Sequence, residues 1–482
     1  MQVSKIYIGG QQVEASNGAT FEVHNPANPS ETVAIFPAAT VEDTRKAIAA
    51  AREALPGWAG MPLPARGAIL DKASQLLNAR LDEIAAILTR EEGKTLAEAK
   101  GEVMRARDIF RYFSGEGWRS GGEVYPGNTA TEMLYSRREP LGVVALITPW
   151  NFPIAIPAWK LAPALIYGNT VVFKPASYAP QTAYKLVEAL VDAGLPAGVL
   201  NLVTGSGGEV GNELASNPGI NGLSFTGSTT VGTGIYALAI KNLTRVQLEM
   251  GGKNPMVVLN DADLERAVDL AVKGGFGLTG QACTATSRVI VEEGIASDFV
   301  KALAEAGRRL VVGNGLESGV QMGPAVSQGQ LKTDLDYVQV GKGEGAKLVV
   351  GGERLNGANG SGYFIQPTVF DEVAPKMRIA QEEIFGPVIS VMRARDFDDA
   401  LAKANDIGFG LSAGIVTNNL QKALAFANRI DAGVVKINEP TTGLALQAPF
   451  GGFKNSSANT FKEQGPAARD FYTRTKTIYI EG

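Results

Sequence analysis

The fold is decided by the stretch GVVALITPWNFP, residues 142–153. An apolar run of strand length stops at a proline-rich turn, and a second apolar run, Thr170 to Phe173, follows after a helix-length interval. Apolar residues continue to Ala158, which is nearly the length of a membrane span, yet Pro149, Pro153 and Pro157 would break a spanning helix repeatedly. The sequence therefore predicts a buried strand, a rigid turn and a helix.

The same alternation of short apolar runs and helical stretches extends along the chain. Short buried strands separated by helices are typical of parallel sheets with crossover helices. Two such series are predicted, joined near Gly251-Gly252, with strands at Val143 to Ile147, Thr170 to Phe173, Val199 to Val203 and Gly222 to Phe225, and then at Pro255 to Leu259, Arg288 to Val291, Lys347 to Val350 and Gly433 to Ile437.

The regions outside these two series add helices and further strands. Ile6 to Ile8 and Thr20 to Val23 are strand-like. Apolar residues recur at helical intervals from Ile69 to Leu88, which predicts one amphipathic helix, and a second is predicted over Leu96 to Phe113. Alternating side chains from Phe471 to Ile480 predict an added edge strand.

Composition excludes several classes of function. The 482 residues carry a net charge of −4, with 45% hydrophobic and 20% charged residues, so the basic surface that nucleic acid requires is missing. Residues 1–7 lack the apolar core of a signal peptide, which predicts a cytoplasmic protein without a membrane partner. The single histidine, His24, leaves no histidine-based zinc site, and no metal is predicted.

The one cysteine, Cys283, lies in GQACTATSR, residues 280–288. A lone thiol cannot form an intramolecular disulfide, so it either packs as a small buried hydrophobe or reacts. Small and polar residues flank it, and Gly275, Gly277 and Gly280 precede it, which is typical of a loop that presents a side chain to a ligand. We interpret Cys283 as a nucleophile.

Two segments suit a ligand that carries phosphate. TGSTTVG, residues 226–232, precedes a helical pattern, so its backbone N–H groups could meet a phosphate; it is neither the spaced dinucleotide fingerprint nor a P-loop, and a tight turn is the alternative. Lys174-Pro175-Ala176-Ser177 follows another predicted strand, where ligands of open α/β sheets bind. A solvated surface lysine is the alternative there.

Two further segments suit chemistry at a carbonyl group. Glu249, after an apolar run and before a pair of glycines, is a candidate general base, with a salt-bridged strand end as the alternative. Asn151 lies between two aromatic residues and near two prolines, and such rigidity suits an oxyanion donor that must be aimed before charge develops. Because His24 lies in an N-terminal strand region, the base for Cys283 chemistry is predicted to be a carboxylate or water.

Together these segments resemble the aldehyde dehydrogenase superfamily from one end of the chain to the other. The resemblance implies an α/β fold with a Rossmann-like dinucleotide domain, an α/β catalytic domain and a small β oligomerisation extension. It also implies oxidation of an aldehyde to its acid through a thiohemiacetal and a thioester on Cys283. The matching segments are residues 148–153, 174–177, 225–232, 248–255 and 280–288, with EEIFGP at 382–387 and PFGG at 449–452.

The resemblance assigns roles to individual residues. Cys283 would be the nucleophile, Asn151 the oxyanion donor and Glu249 the base for thioester hydrolysis. Lys160 is placed with these catalytic residues. An apolar substrate tunnel would be lined by Phe152, Ile156, Trp159, Leu444 and Phe450. The dinucleotide would be held by Ile147, Thr148, Trp150, Lys174, Ala176, Ser177, Gly227, Ser228, Gly232, Glu383 and Phe385.

The expected cofactor is NADP or NAD, with NADP favoured. Relatives that prefer NAD often carry Glu where this chain has Ser177, and that carboxylate would repel a 2′-phosphate. Ser177 removes the repulsion and leaves Lys174 nearby to pair with the phosphate.

Within the family, four features resemble the 2-oxoglutarate semialdehyde (2,5-dioxovalerate) dehydrogenases: EEGKTLAE at 91–98, PIAIPAWK at 153–160, Met250, and EQG at 463–465. Relatives that oxidise succinate semialdehyde place Arg where this chain has Trp159, which disfavours that substrate. No carboxylate clamp is evident in the sequence. A broad aromatic or aliphatic aldehyde dehydrogenase is therefore the alternative.

Two other classes fit less well. CoA-acylating relatives generally lack a base at the position of Glu249, and a non-catalytic scaffold would not need Cys283, Glu249 and Asn151 together. The expected domains are a dinucleotide domain of residues 1–121 and 141–250, a catalytic domain of residues 251–440, and an extension of residues 122–140 and 441–482. The extension would pair a hairpin near Gly122 to Arg138 with the C-terminal strand and join subunits into a homodimer or homotetramer.

Overall fold

The computed structural model describes residues 3–119, 121–355 and 362–482. Its strands are β1 Ile6–Ile8, β2 Gln11–Val13, β3 Thr20–Asn25, β4 Asn28–Pro37, β5 Val124–Tyr125, β6 Glu132–Pro140, β7 Val143–Ile147, β8 Thr170–Lys174, β9 Leu200–Leu202, β10 Gly222–Gly227, β11 Arg245–Met250, β12 Asn254–Val258, β13 Thr286–Glu292, β14 Lys347–Val350, β15 Arg354–Leu355, β16 Phe364–Ile365, β17 Thr368–Asp371, β18 Val388–Ala394, β19 Phe409–Gly410, β20 Ser412–Val416, β21 Val434–Ile437, β22 Phe453–Lys454 and β23 Thr473–Glu481.

Its α-helices are α1 Val41–Gly60, α2 Leu63–Ala79, α3 Leu81–Glu92, α4 Leu96–Ser114, α5 Ala155–Ile166, α6 Pro180–Asp192, α7 Asn212–Ser216, α8 Thr229–Ala239, α9 Leu264–Phe276, α10 Glu293–Arg309, α11 Gln328–Gly343, α12 Arg378–Gln381, α13 Phe397–Asn405, α14 Leu420–Arg429 and α15 Gly465–Tyr472.

The decisive stretch forms β7 in the middle of a seven-stranded sheet of order β11-β10-β7-β8-β9-β1-β2. The five strands from β11 to β9 run parallel, and β1 and β2 add an antiparallel edge. Val144 and Leu146 join one apolar core, whereas Val143, Ala145 and Ile147 join another, so β7 is buried on both faces. No helix of the described residues is long and apolar enough to cross a membrane.

A second seven-stranded sheet has the order β14-β17-β18-β13-β12-β20-β21. Three of its strands, β17, β18 and β20, lie outside the strands predicted from the sequence. The expectation of a parallel strand at Lys347 to Val350 is wrong, because β14 pairs antiparallel with β17 at the sheet edge. Among its described residues, the connection between them contains the short antiparallel pair β15–β16, whereas a parallel neighbour would have needed a crossover.

The single helix expected from Ile69 to Leu88 is also wrong, since two helices, α2 and α3, divide at Arg80. Arg80 leaves helical geometry, with φ −103° and ψ 14°, yet its N–H still donates to the Leu76 carbonyl at 3.0 Å. The apolar stripe therefore continues across the break, and periodicity could not reveal it.

The C-terminal strand pairs with the hairpin region as expected. β23 lies antiparallel to β6 from the Thr473–Pro140 pair to the Glu481–Glu132 pair, and β5 completes a three-stranded sheet. The strand begins at Thr473 rather than Phe471, because the preceding residues end α15. The first large sheet ends at Met250 and the second begins at Asn254, but the domain boundaries themselves stay a prediction.

Candidate active site

The turn after β7, which carries Asn151, is held by buried charged residues of the α3–α4 region. Lys94 Nζ donates to the Asn151 carbonyl at 2.7 Å and to Glu102 Oε2 at 2.6 Å. Glu102 Oε1 accepts the N–H groups of Ile154 and Ala155, both at 3.0 Å. Because Lys94 is only 1% exposed, this ion pair fixes both ends of the turn from inside the protein.

The loop before β13, which carries Cys283, is tied to this turn and to β12. Asn151 Nδ2 donates to the Gln281 carbonyl at 3.0 Å, which uses one of its two N–H groups. Asn254 Nδ2 donates to the carbonyls of Cys283 at 2.8 Å and Ala285 at 2.9 Å. The backbone is therefore held at Cys283 itself and at the residues two positions before and after it.

A cavity of about 220 Å³ brings many of the predicted site residues together. Cys283 and Asn151 lie on its wall, and Trp150 meets Phe385 edge to face, with ring centroids 5.4 Å apart. Of the predicted residues, the cavity is lined by Trp150, Asn151, Ile156, Gly227, Ser228, Cys283, Glu383 and Phe385; Thr226, Met250, Gly251 and Gln330 also line it.

Cys283 is held as a thiol in this environment. Burial, together with the nearby carboxyl groups of Glu383, Glu249 and Glu463, raises the pKa of Cys283 to about 12. Nucleophilic attack therefore requires that the thiol proton be passed to an acceptor.

Glu249, the residue before the end of β11, has a carboxyl group that is buried and only partly hydrogen-bonded. Its Oε2 accepts the Gly452 N–H at 3.3 Å, whereas Oε1 has no hydrogen-bond partner among the described residues. A Cβ at Gly451 would lie 2.3 Å from Oε1, so only glycine fits beside it. Burial, followed by the charge of Glu463, raises the pKa of Glu249 well above its ordinary value.

Lys160 lies behind Glu249 and does not line the cavity. Its Nζ pairs with Glu463 and donates to Ser224 Oγ at 2.6 Å. Glu463 also accepts the Trp159 indole N–H at 2.7 Å. Lys160 is therefore placed to control Glu463, whose charge acts on Glu249, rather than to touch a substrate.

The turn from β10 to α8 fits a phosphate. Ser228 caps α8 by accepting the Val231 N–H at 3.4 Å, and the buried hydroxyl groups of Thr226 and Thr229 have no partner among the described residues. A Cβ at Gly232 would lie 2.5 Å from Met250 Sδ, so this glycine lets the helix pack closely. The cavity reaches the free N–H groups of this helix N-terminus through Gly227 and Ser228.

The other predicted cofactor residues lie at the ends of β7 and β8 or just after them, and they do not line the cavity. The Thr148 N–H donates to the Lys174 carbonyl at 3.2 Å, which joins the ends of the two strands. Burial lowers the pKa of Lys174 to about 8, and its Nζ donates to the Pro175 carbonyl at 3.2 Å. Ser177 is exposed, and its hydroxyl donates to the Gly205 carbonyl at 3.3 Å. Ile147 and Ala176 flank these contacts in the chain.

Glu383 and Phe385 enter the cavity from the opposite side. Glu383 Oε1 accepts the Gly252 N–H at 3.0 Å, and burial raises the pKa of Glu383 to about 7. A Cβ at Gly251 would lie 2.0 Å from the Glu383 carboxylate, which explains the pair of glycines after β11. Phe385 takes a left-handed φ of 62° that turns it toward Trp150.

The predicted substrate residues share one apolar cluster with Cys283. Trp159 and Phe450 lie 5.9 Å apart between ring centroids, and Phe152, Ile156 and Leu444 pack in the same cluster. The expectation of an apolar tunnel is incomplete, because the guanidinium of Arg105 lies 5.9 Å from the Trp159 ring and donates to the Leu444 carbonyl.

Sequence reasoning missed the charged residues that organise the site. Glu98, Glu102 and Arg105 occur at intervals of four and three, so they share one face of α4. Glu98 Oε1 accepts the Leu278 N–H at 2.8 Å, in the segment before Cys283. Their spacing on a helix that also has an apolar stripe was the signal in the sequence that could have revealed them. No group of His, Cys, Asp and Glu within the described ranges is arranged to hold a metal.

Known proteins resemble this chain over nearly its whole length. The sequence model of the Aldehyde dehydrogenase family matches residues 13–478. An alpha-ketoglutarate semialdehyde dehydrogenase of Haloferax volcanii is 51% identical over 99% of this chain and 98% of its own length. An alpha-ketoglutaric semialdehyde dehydrogenase of Bacillus subtilis is 48% identical over 98% of this chain and 97% of its own length. The crystal structure of a betaine aldehyde dehydrogenase from Staphylococcus aureus in complex with NAD+ superposes with a TM-score of 0.96 at 35% identity, covering 99% of this chain and 94% of that one.

We predict that Glu249→Gln stabilises the protein more at pH 8 than at pH 5. Because the pKa of Glu249 is raised in the folded state, the folded protein keeps a proton that the unfolded chain loses above about pH 4.5. The contribution of Glu249 to the free energy of unfolding therefore falls as the pH rises from about 4.5 toward the raised pKa of the folded state. The gain in Tm that Glu249→Gln causes at pH 8 is expected to exceed its gain at pH 5 by about 2 °C or more. Thermal unfolding at both pH values measures it.

Glu305→Gln, on the exposed face of α10, is the matched control and should change Tm equally at the two pH values. A pH-independent gain for Glu249→Gln would contradict the assignment of a proton to this carboxyl group.

Proposed function

Because the chain belongs to the aldehyde dehydrogenase family, we propose that it oxidises 2-oxoglutarate semialdehyde to 2-oxoglutarate with NADP or NAD. The observation that carries the reaction type is the cavity where Cys283 and Asn151 meet Glu383 and Phe385, with the buried Glu249 nearby. Support for the substrate comes from the two semialdehyde dehydrogenases that are about half identical to this chain.

Cys283 Sγ forms the new bond to the aldehyde carbon and passes its proton to water or to the Glu249 carboxylate, while the carbonyl oxygen takes the electron pair. The free N–H of the Asn151 amide and the backbone N–H of Cys283 stabilise that oxyanion. Since Asn151 is fixed by the Lys94–Glu102 pair, the donor is aimed before the charge develops. Losing one such donor typically costs about 3–4 kcal/mol of activation free energy.

The chain's residues fit a nicotinamide dinucleotide, which supplies the hydride acceptor when it is bound. The N-terminus of α8 with Gly227 and Ser228 would hold the phosphates, and Gly232 permits that helix to approach. Lys174 would hold the adenosine ribose, while Trp150, Glu383 and Phe385 would hold the nicotinamide end. These residues would also keep water away from the first step.

Glu249 takes the proton from the water that attacks the thioester carbon, and the Cys283–carbon bond then breaks. Its Oε1, which has no hydrogen-bond partner among the described residues, is available to accept that proton. Lys160 and Glu463 are positioning residues that set how easily Glu249 gains and loses its proton.

A broad aromatic or aliphatic aldehyde dehydrogenase is the second candidate. It is favoured by the apolar cluster of Phe152, Ile156, Trp159 and Phe450 beside Cys283. The two candidates differ in whether a negative charge on the substrate is required.

We also propose a homodimer or homotetramer built on the β5–β6–β23 sheet. One edge of β23 has no strand partner within the described residues, and open edges of this kind need covering. A cytoplasmic location suits a thiol that must stay reduced to react.

The substrate is tested by initial rates of NADPH or NADH formation with a panel of aldehydes. The panel holds 2-oxoglutarate semialdehyde, succinate semialdehyde, benzaldehyde and a medium-chain alkanal, and CoA is left out. We expect kcat/KM for the first to exceed the values for the two uncharged aldehydes by about tenfold or more, which is the value of one well-placed charged contact. Equal or faster turnover of the apolar aldehydes would favour the second candidate.

Cofactor choice is tested at Ser177. NADP is expected to be preferred, and Ser177→Glu should lower kcat/KM for NADP by about tenfold or more, because a carboxylate would face the 2′-phosphate. Turnover with NAD should be retained or improved. Ser177→Gln has the same shape without the charge and should change the ratio of the two cofactors much less. A wild-type enzyme that uses NADP far more poorly than NAD would refute the preference.

A further inference from the structure

Arg105 is a cation beside the predicted substrate residues whose hydrogen bonds go to neutral groups. It lies on α4 with its guanidinium 5.9 Å from the centroid of the Trp159 ring. Its Nη1 donates to the Leu444 carbonyl, and its Nη2 donates to Gln464 Oε1 at 2.9 Å. Burial lowers the pKa of Arg105, as expected for a charge that lacks full hydration.

Two other cations that lie near this apolar cluster already form ion pairs. Lys160 and Lys94 are completely buried and form ion pairs with Glu463 and Glu102. The negative charge of Glu102 acts on Arg105 and favours its charged form. The Glu102 carboxylate, however, already pairs with Lys94 and accepts two backbone N–H groups. Arg105 therefore forms no ion pair with a carboxylate of the described residues, although the charge of Glu102 acts on it.

The surroundings hold the guanidinium in one orientation. The Trp159 indole N–H is fixed by Glu463, so the ring is held in place for the cation. The amide oxygen of Gln464 must face the arginine to accept its N–H, which leaves the amide nitrogen on the other side. That nitrogen is buried and has no partner within the described part of the chain. Arg105 and Gln464 are thus preorganised donors at the rim of an otherwise apolar cluster.

We propose that Arg105 binds the carboxylate of the acidic aldehyde, with Gln464 as the residue that positions it. This inference rests on the proposed substrate and supplies the clamp that its carboxylate needs. A planar guanidinium can pair with a carboxylate through two parallel hydrogen bonds, and the Leu444 carbonyl and Gln464 oxygen would keep it in place before the substrate arrives. The positive charge that binds the carboxylate would thus come from α4, and not from the position of Trp159, where relatives that oxidise succinate semialdehyde carry Arg.

The test compares Arg105→Met with wild type on 2-oxoglutarate semialdehyde and on pentanal, a five-carbon aldehyde without charge. Arg105→Met is expected to lower kcat/KM for the semialdehyde by about 30-fold or more, mainly through KM, and to change it for pentanal by less than about threefold. Arg105→Lys keeps the charge but loses the planar guanidinium, so its kcat/KM for the semialdehyde should lie between those of wild type and Arg105→Met. Calorimetric binding of 2-oxoglutarate should weaken in the same order.

Arg107→Met is the matched control, since Arg107 lies on the same helix and bonds to Asp108 and Asn78 instead. It should leave both aldehydes and 2-oxoglutarate binding unchanged. Equal losses on both aldehydes, with 2-oxoglutarate binding intact, would overturn the role of Arg105 and leave the proposed substrate standing. A wild-type enzyme that oxidises pentanal as well as the semialdehyde, and does not bind 2-oxoglutarate, would overturn the substrate and this anchor together.

Discussion

The arrangement of the site depends on the buried ion pair between Lys94 and Glu102. Lys94 holds the Asn151 carbonyl, Glu102 holds the N–H groups at the start of α5, and Asn151 in turn holds the Cys283 loop through Gln281. Removing one partner of a buried pair typically costs about 3–5 kcal/mol, because the remaining charge is left uncompensated. A single helix, α4, thereby positions the oxyanion donor, the nucleophile loop and Arg105 together.

Burial gives the acids of the site a common property. The thiol of Cys283 has its pKa raised to about 12, the carboxyl of Glu383 has its pKa raised to about 7, and that of Glu249 is raised as well. Such groups keep their protons to a higher pH than exposed ones, and Glu249 therefore acts as a base at a pH nearer neutrality than an exposed carboxylate would. The same burial that weakens folding at this site makes the proton transfers possible.

Much of the fold and the chemistry could be predicted from the sequence, since both depend on local patterns. The apolar run of β7 and the glycines at 251, 451 and 452 lie where backbone and side-chain space leave little choice. The break between α2 and α3 could not be predicted, because the helical spacing of apolar residues continues across it. The antiparallel direction of β14 could not be predicted either, because it depends on tertiary pairing with β17. Arg105 and Lys94 were missed for the same reason: their roles arise from contacts across distant segments.

The central claim is that the acid is released from a thioester on Cys283 by a water that Glu249 activates. Intact-mass measurement of Glu249→Gln after mixing with NADP and 2-oxoglutarate semialdehyde tests it most directly. The account predicts that one acyl group accumulates on Cys283, is removed by hydroxylamine, and is absent from Cys283→Ser. A single turnover of reduced cofactor without any acyl adduct, or an adduct that persists in Cys283→Ser, would contradict it.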